Sequence, residues 1–190
     1  MKHRCIKWSL LAALVPLVGS PSFAQEVIHA VAGVVTAVHP QSQSLAIQTH
    51  DGSIQTFRYT SKPASRIEFD KGLRSATAEP EVVKQTGDHV IVYYFGFGAQ
   101  QTAVAIKDLG KDPLGYSTGR IVHVDRHKHT LTIHGDDGAD QTFLIAEDAG
   151  ADTPSGVVEG IRYAGSKGSA VIVRFSSANG SRVAHLVRED

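Results

Sequence analysis

The chain has 190 residues, with 19 Lys and Arg against 19 Asp and Glu, and its one Cys, one Met and one Trp are Cys5, Met1 and Trp8. If the first 24 residues are removed, the chain that remains is slightly acidic and free of sulfur and Trp. That excludes a disulfide, a thiolate nucleophile, an iron–sulfur cluster and a sulfur-ligated copper site, and it leaves no basic footprint for nucleic acid.

The first segment reads as a secretory signal. Lys2, Arg4 and Lys7 precede an apolar stretch from Trp8 to Gly19, and Ser22-Phe23-Ala24 offers small residues for cleavage before Gln25. The apolar stretch is too short for a membrane anchor, which needs roughly 20 residues, so no transmembrane segment is expected in the mature chain. Absence of disulfide staples in an exported chain favours a bacterial periplasm or cell exterior.

From residue 29 onward the chain states one pattern twice. Gly33-Val34-Val35-Thr36-Ala37-Val38, Leu45-Ala46-Ile47 and Asp51-Gly52-Ser53-Ile54-Gln55-Thr56-Phe57 return as Gly119-Arg120-Ile121-Val122-His123-Val124, Leu131-Thr132-Ile133 and Asp137-Gly138-Ala139-Asp140-Gln141-Thr142-Phe143, at an offset of 86 residues (33 to 119). Later, Gly87 with Val90-Ile91-Val92-Tyr93-Tyr94 returns as Gly168 with Val171-Ile172-Val173-Arg174-Phe175, at an offset of 81 (87 to 168). A self-match of this length means two copies of one structural unit.

Apolar residues alternate with period 2, so the elements are strands. The alternation predicts strands near 31–39, 44–49, 53–60, 89–95 and 101–108 in the first unit. In the second it predicts 119–125, 130–135, 140–146, 170–176 and 182–188. Asp51-Gly52, Asp137-Gly138 and Asn179-Gly180 supply hairpin turns. The segment 61–86 is the least strand-like, with a short helix at 77–84 limited by Pro80. The divisions expected are a signal peptide over 1–24, a barrel over 29–109, a linker over 110–118 and a second barrel over 119–190. Five short strands with an irregular insert after the third are the pattern of an OB-like barrel. The expected fold is all-β: two tandem five-stranded OB-like barrels, with one ten-stranded sandwich as the competing arrangement.

Gly-x-Val-x-x-Val, Leu-x-Ile, Asp-Gly-x-x-x-Thr-Phe and Gly-Asp-x-Val-x-Val, covering most of 30–188, resemble the small OB-like barrel repeats of exported bacterial proteins of uncharacterised function. More distantly they resemble the periplasmic copper-chaperone barrel. That second resemblance implies a metal site built from a His after the second strand, two Met residues and a capping Trp. Here the second strands end in Ile133-His134 and in Ile47-Gln48-Thr49-His50, and the mature chain has no Met and no Trp. The thioether ligands of a Cu(I) chaperone are missing, so that activity does not carry over.

Two groups of residues offer binding chemistry. His123, His127 and His129 crowd the first hairpin of the second unit, with His134 near, and three imidazoles within reach suit Zn²⁺ or Cu²⁺. The matching positions in the first unit are Ala37, Gln41, Gln43 and Gln48. The barrel therefore does not need His there, and a solvated polar turn explains them as well. Tyr93, Phe95 and Phe97 form an aromatic run in which Tyr93 and Phe95 face away from the core and match Arg174 and Ser176. Outward aromatics of this kind make a contact surface, or else pack against the second barrel or the 61–86 segment.

Gly115-Tyr116-Ser117-Thr118-Gly119 matches the serine-hydrolase pattern, but it falls in the linker and runs into a strand, where a nucleophile elbow needs a strand-to-helix turn. With no nucleophile–base pair or paired carboxylates, no catalytic residue is expected. The function expected is a non-enzymatic, exported binding or structural module. Its partner would be an envelope protein or a small ligand and not nucleic acid, and no cofactor is required. The alternative is a His-based Zn or Cu binding or buffering protein.

Overall fold

A computed structural model describes residues 27–59, 86–178 and 180–190. The expected signal peptide, the expected helix at 77–84 and Asn179 lie outside the described residues. Among the described residues the fold is all-β, and helical structure is confined to single 3-10 turns such as Pro40–Ser42 and Gly160–Arg162. No helix among them is long and apolar enough to cross a membrane.

The strands are β1 (His29–His39), β2 (Ser44–Gln48), β3 (Ile54–Tyr59), β4 (His89–Phe95), β5 (Thr102–Asp108), β6 (Gly115–Asp125), β7 (Thr130–Gly135), β8 (Asp140–Thr153), β9 (Gly156–Glu159), β10 (Ala170–Ala178) and β11 (Ser181–Glu189). The first five close a barrel in the order β1-β2-β3-β5-β4. The second sheet runs β11-β10-β6-β7-β8-β9, and a further β11–β8 pairing closes its first five strands in the same order. In each barrel the closing seam is parallel, β3 on β5 and β8 on β11, and every other ladder is antiparallel. The chain thus forms two tandem small barrels and not one sandwich.

The duplication reaches down to individual backbone angles. A bulge at Val35/Ala37 in β1 returns at Ile121/His123 in β6, and one at Tyr93/Tyr94 in β4 returns at Arg174/Phe175 in β10. Gln43 and His129, each following a 3-10 or turn segment, are left-handed at φ 48° and 50°. Gly52 and Gly138 hold φ 83° and 80° at the Asp-Gly hairpins, as the turn chemistry predicts. Gly33 and Gly119 are required for another reason: a Cβ on Gly33 would sit 2.7 Å from the Gln48 carbonyl oxygen, and one on Gly119 2.2 Å from that of His134.

Each barrel has its own core. The first gathers Val35, Leu45, Ile47, Phe57, Val90 and Val92, and the second gathers Ile121, Leu131, Ile133, Phe143, Val171 and Val173. Phe57 packs on Tyr94 with ring centroids 5.1 Å apart and 56° between planes; its equivalent Phe143 packs on Phe175 at 5.1 Å and 58°. A third cluster joins the barrels: Ala30, Ala32, Ile91, Tyr93, Val104, Ala105 and Leu186. In the repeat, Ala105 corresponds to Leu186 and Tyr93 to Arg174. The first barrel meets the junction with its β1, β4 and β5, and the second meets it with Leu186 of β11, Val157 of β9 and the extension of β8.

Three expectations are corrected. The strand expected to begin at 119 begins at Gly115, so the 110–118 linker shrinks to the stretch after β5. Residues 115–120 find ladder partners along β10, and Gly115 lies under the Phe175 ring, where a Cβ would come within 2.4 Å. The strand expected to end at 146 runs on to Thr153, and β9 was not expected. Glu147 to Asp152 have poor strand propensity, but β11 and β9 present hydrogen-bonding edges on both sides, and such context overrides propensity. The outward face of β4 is not a free surface. Tyr93 is 0% exposed and Phe95 is half-buried against the junction cluster, because the second barrel covers them.

Candidate functional site

The junction is pinned by polar contacts on the barrels' rims. His29 Nδ1 lies 3.0 Å from Asp152 Oδ1, the Ala30 N–H donates to Asp152 Oδ2 at 3.2 Å, and the Val157 N–H donates to the Ile28 carbonyl at 2.9 Å. Lys107 Nζ reaches Asp148 Oδ2 at 2.7 Å and its carbonyl at 3.0 Å. These place the first barrel's β1 and β5 against the second barrel's β8.

Beside the apolar cluster the two barrels leave a cleft of about 310 Å³. The first barrel contributes the β2–β3 turn, with Thr49, His50 and Asp51, together with Gln55 at the start of β3. The second contributes Tyr116 from β6, Ile172 and Arg174 from β10, and Leu186 and Arg188 from β11. Tyr116 and Arg174 are ladder partners on adjacent strands, which sets them side by side on one face. The Arg174 guanidinium lies over the Tyr116 ring at 5.6 Å, and the far side of the assembly is a His50–Tyr116 stack with centroids 3.5 Å apart and 17° between planes. The stack crosses from one barrel to the other.

Arg174 is the most costly residue in the cleft. It is 8% exposed, and neither Nε nor Nη1 has a hydrogen-bond partner among the described residues. Burial lowers its pKa, and Tyr116 opposes that; a guanidinium nevertheless stays charged. Asp51 is the fixed anion of the cleft. Hydrogen bonds from the Thr49 hydroxyl and from the Ser53 N–H (3.1 Å) and hydroxyl (2.8 Å) hold its pKa at about 2. Replacing Arg174 by Met is expected to raise the stability of the ligand-free protein by about 1–2 kcal/mol in urea denaturation, since a buried charge without a partner is exchanged for an apolar side chain of similar length.

Two more histidines sit at the junction. Burial, reinforced by Arg174 and opposed by Asp88, lowers the pKa of His89. Burial, reinforced by Lys107 and opposed by Asp148, lowers that of His185, whose Nε2 lies 2.9 Å from the Ser176 hydroxyl. A depressed His pKa means the unfolded chain binds protons first. The stability these groups contribute is present above the ordinary value near 6.5 and lost as pH falls below it. Asp152, whose burial raises its carboxyl pKa, acts with the opposite sign and at lower pH. Urea midpoints measured from pH 7 to 5.5 should therefore fall, and the double variant His89→Gln, His185→Gln should flatten the slope.

The sequence-derived candidates are placed otherwise. His123, beside the β6 bulge, and His127, at the turn tip, are exposed, and His129 spends its left-handed φ on closing the turn. The turn is organised by Asp125, whose Oδ1 accepts from the His127 and Lys128 N–H groups at 3.0 Å. Among the described residues no three His, Cys, Asp or Glu side chains gather to hold a metal, so this trio is not brought together as a ligand set. Of the aromatic run, only Phe97 is open, at 88% exposure. Ser117 is buried in β6 and donates to Gln141 Oε1 at 2.7 Å; it lies mid-strand, not at an elbow. Sequence reasoning missed the cleft residues His50, Tyr116, Arg174 and Arg188. The one available signal was a charge, Arg174, inside the apolar run Val171–Phe175.

No protein-family model and no curated protein matches the chain. Among solved structures, the chain is similar to a crystal structure of Ag(I)-bound CusF at 14% identity and a TM-score of 0.33, covering 41% of this chain and 99% of the other. It is likewise similar to CusF-Ag(I) residues 10–88 from Escherichia coli at 14% identity and a TM-score of 0.33, covering 42% of this chain and 94% of that one.

Proposed function

We propose that this protein is an exported, non-enzymatic module that binds a small ligand between its two barrels. The observation that carries the reading is the inter-barrel cleft with a buried Arg174 in its wall, whose Nε and Nη1 find no hydrogen-bond partner among the described residues. Sites for small ligands are concave, furnished with convergent polar groups and frequent at domain interfaces, and this cleft is concave, lies between the two barrels and sets polar groups beside an apolar wall. Export is supported by the basic and apolar leader of residues 1–24. A binding role, not a catalytic one, is supported by the engagement of the Ser117 hydroxyl with Gln141 and by a cleft whose carboxylate, Asp51, is tied into its own turn.

The absence of Cys from residues 25–190 supplies the test. Thr49→Cys, in the cleft, and Lys128→Cys, on the β6–β7 turn, would each be labelled after folding with a bulky maleimide. Both would then be screened by native mass spectrometry against organic acids, amino acids, sugars and nucleosides. Retention of a ligand by the unlabelled and 128-labelled protein, with loss on labelling at 49, is expected. Equal retention by both labelled forms, or none by the unlabelled protein, overturns the reading.

A further inference from the structure

We infer that the cleft takes a small monocarboxylate, its carboxylate seated on Arg174 and a short apolar body lying against Ile172 and Leu186. This rests on the cleft being the ligand site and adds which chemistry it selects.

The first ground is the unfilled hydrogen-bonding capacity of Arg174. Arg174 is more than nine-tenths buried, it lines the cleft, and its Nε and Nη1 have no hydrogen-bond partner among the described residues. No ion pair among the described residues includes it. The Tyr116 ring, 5.6 Å from the guanidinium carbon, offers it a π face and no carboxylate. Buried charges in folded proteins are ordinarily paired, and a planar fork of donors matches a planar carboxylate.

The second ground is charge balance. Arg174 and Arg188 face the cleft, and Arg188 is partly engaged by Asp190 at 3.8 Å. Asp51 is the fixed negative charge on the opposite wall, ionised throughout the ordinary pH range. Asp190 answers Arg188, and Arg174 is left as the guanidinium in the wall with no carboxylate partner among the described residues. One carboxylate matches its single charge, whereas a phosphate dianion overshoots it and faces Asp51. The third ground is size and lining. A cleft of about 310 Å³ is at the lower end of the ~300–1,000 Å³ usual for small-molecule sites, and Val31, Ala32, Ile172 and Leu186 give it an apolar portion of wall for a short hydrocarbon body.

The test is NMR titration of the mature chain, residues 25–190, with three probes: butyrate, the uncharged isostere butanamide and inorganic phosphate. Saturable movement of the Arg174 Nε–H resonance with butyrate is expected, with butanamide and phosphate weaker by at least about tenfold. Arg174→Gln should lose butyrate binding by a similar factor while its melting temperature holds or rises, and Arg174→Lys should recover part of the binding without the fork. Should Arg174→Gln fail to fold, the parent's Nε–H titration decides alone. Butanamide binding as tightly as butyrate, with movement of the Ala32 and Tyr116 amide signals, overturns the carboxylate inference and leaves the cleft a ligand site. Phosphate displacing butyrate at lower concentration overturns the monoanion. No saturable change at Arg174 with butyrate at millimolar concentration overturns the inference outright, and the maleimide experiment then decides separately whether the cleft binds anything.

Discussion

Tyr93→Ser is expected to cost about 3–5 kcal/mol of stability, the range for removing a fully buried aromatic side chain. Tyr93 is 0% exposed and packs with Ile91, Ala30, Ala32 and Ala105 of its own barrel and with Leu186 of the other. Its ring also lies against Gly150 of β8, where an added Cβ would meet Tyr93 Oη at 3.0 Å. Serine would leave a void between two bodies that each retain a core, so the loss should fall on their coupling. Urea denaturation is expected to show a lower midpoint together with a shallower slope as the barrels begin to unfold separately. Phe97→Ser, at an 88% exposed site, is the control and should stay within about 0.5 kcal/mol of the parent. A cost under about 1 kcal/mol for Tyr93→Ser would contradict the junction described above.

Phe57→Ala and Phe143→Ala should each cost about 3–5 kcal/mol and should resemble one another closely. Both rings are fully buried, and each meets its aromatic neighbour at the same distance and nearly the same tilt. The difference between them is Arg182, whose guanidinium lies 5.8 Å above the Phe143 ring and 5.5 Å above Phe175, with no counterpart over Phe57 among the described residues. Hydrogen exchange read separately on β2 and β7 would assign each loss to its own barrel. Unequal costs, differing by more than about 2 kcal/mol, would mean that the cores relax differently despite their common geometry.

What the sequence made legible is whatever a local rule controls. Period-2 alternation located β2, β4, β7 and β10 nearly to the residue, and the Asp-Gly pairs located the hairpins because their left-handed backbone angles demand those residues. The internal match also pairs the positions of the bulges, although nothing in the sequence announced a bulge there. What stayed hidden is set by contacts distant in sequence. Alternation says that Tyr93 and Val92 face opposite ways, but not that a second barrel lies over Tyr93. Strand propensity ends β8 at 146, and only the edge offered by β11 carries it to Thr153. Nearness in sequence drew attention to His123, His127 and His129, although a turn splays neighbours apart. The histidines that meet the other barrel, His29, His50, His89 and His185, are scattered from position 29 to position 185, and no spacing rule connects them.

The two copies of the unit do not meet as equals, since the first offers β1, β4 and β5 while the second answers with β8, β9 and Leu186. Joined in one chain, the copies can differ: at equivalent positions one carries an aromatic that seals the seam, the other a cation that keeps part of the seam open. Asymmetry of that kind is unavailable to a symmetric dimer, in which every substitution appears twice.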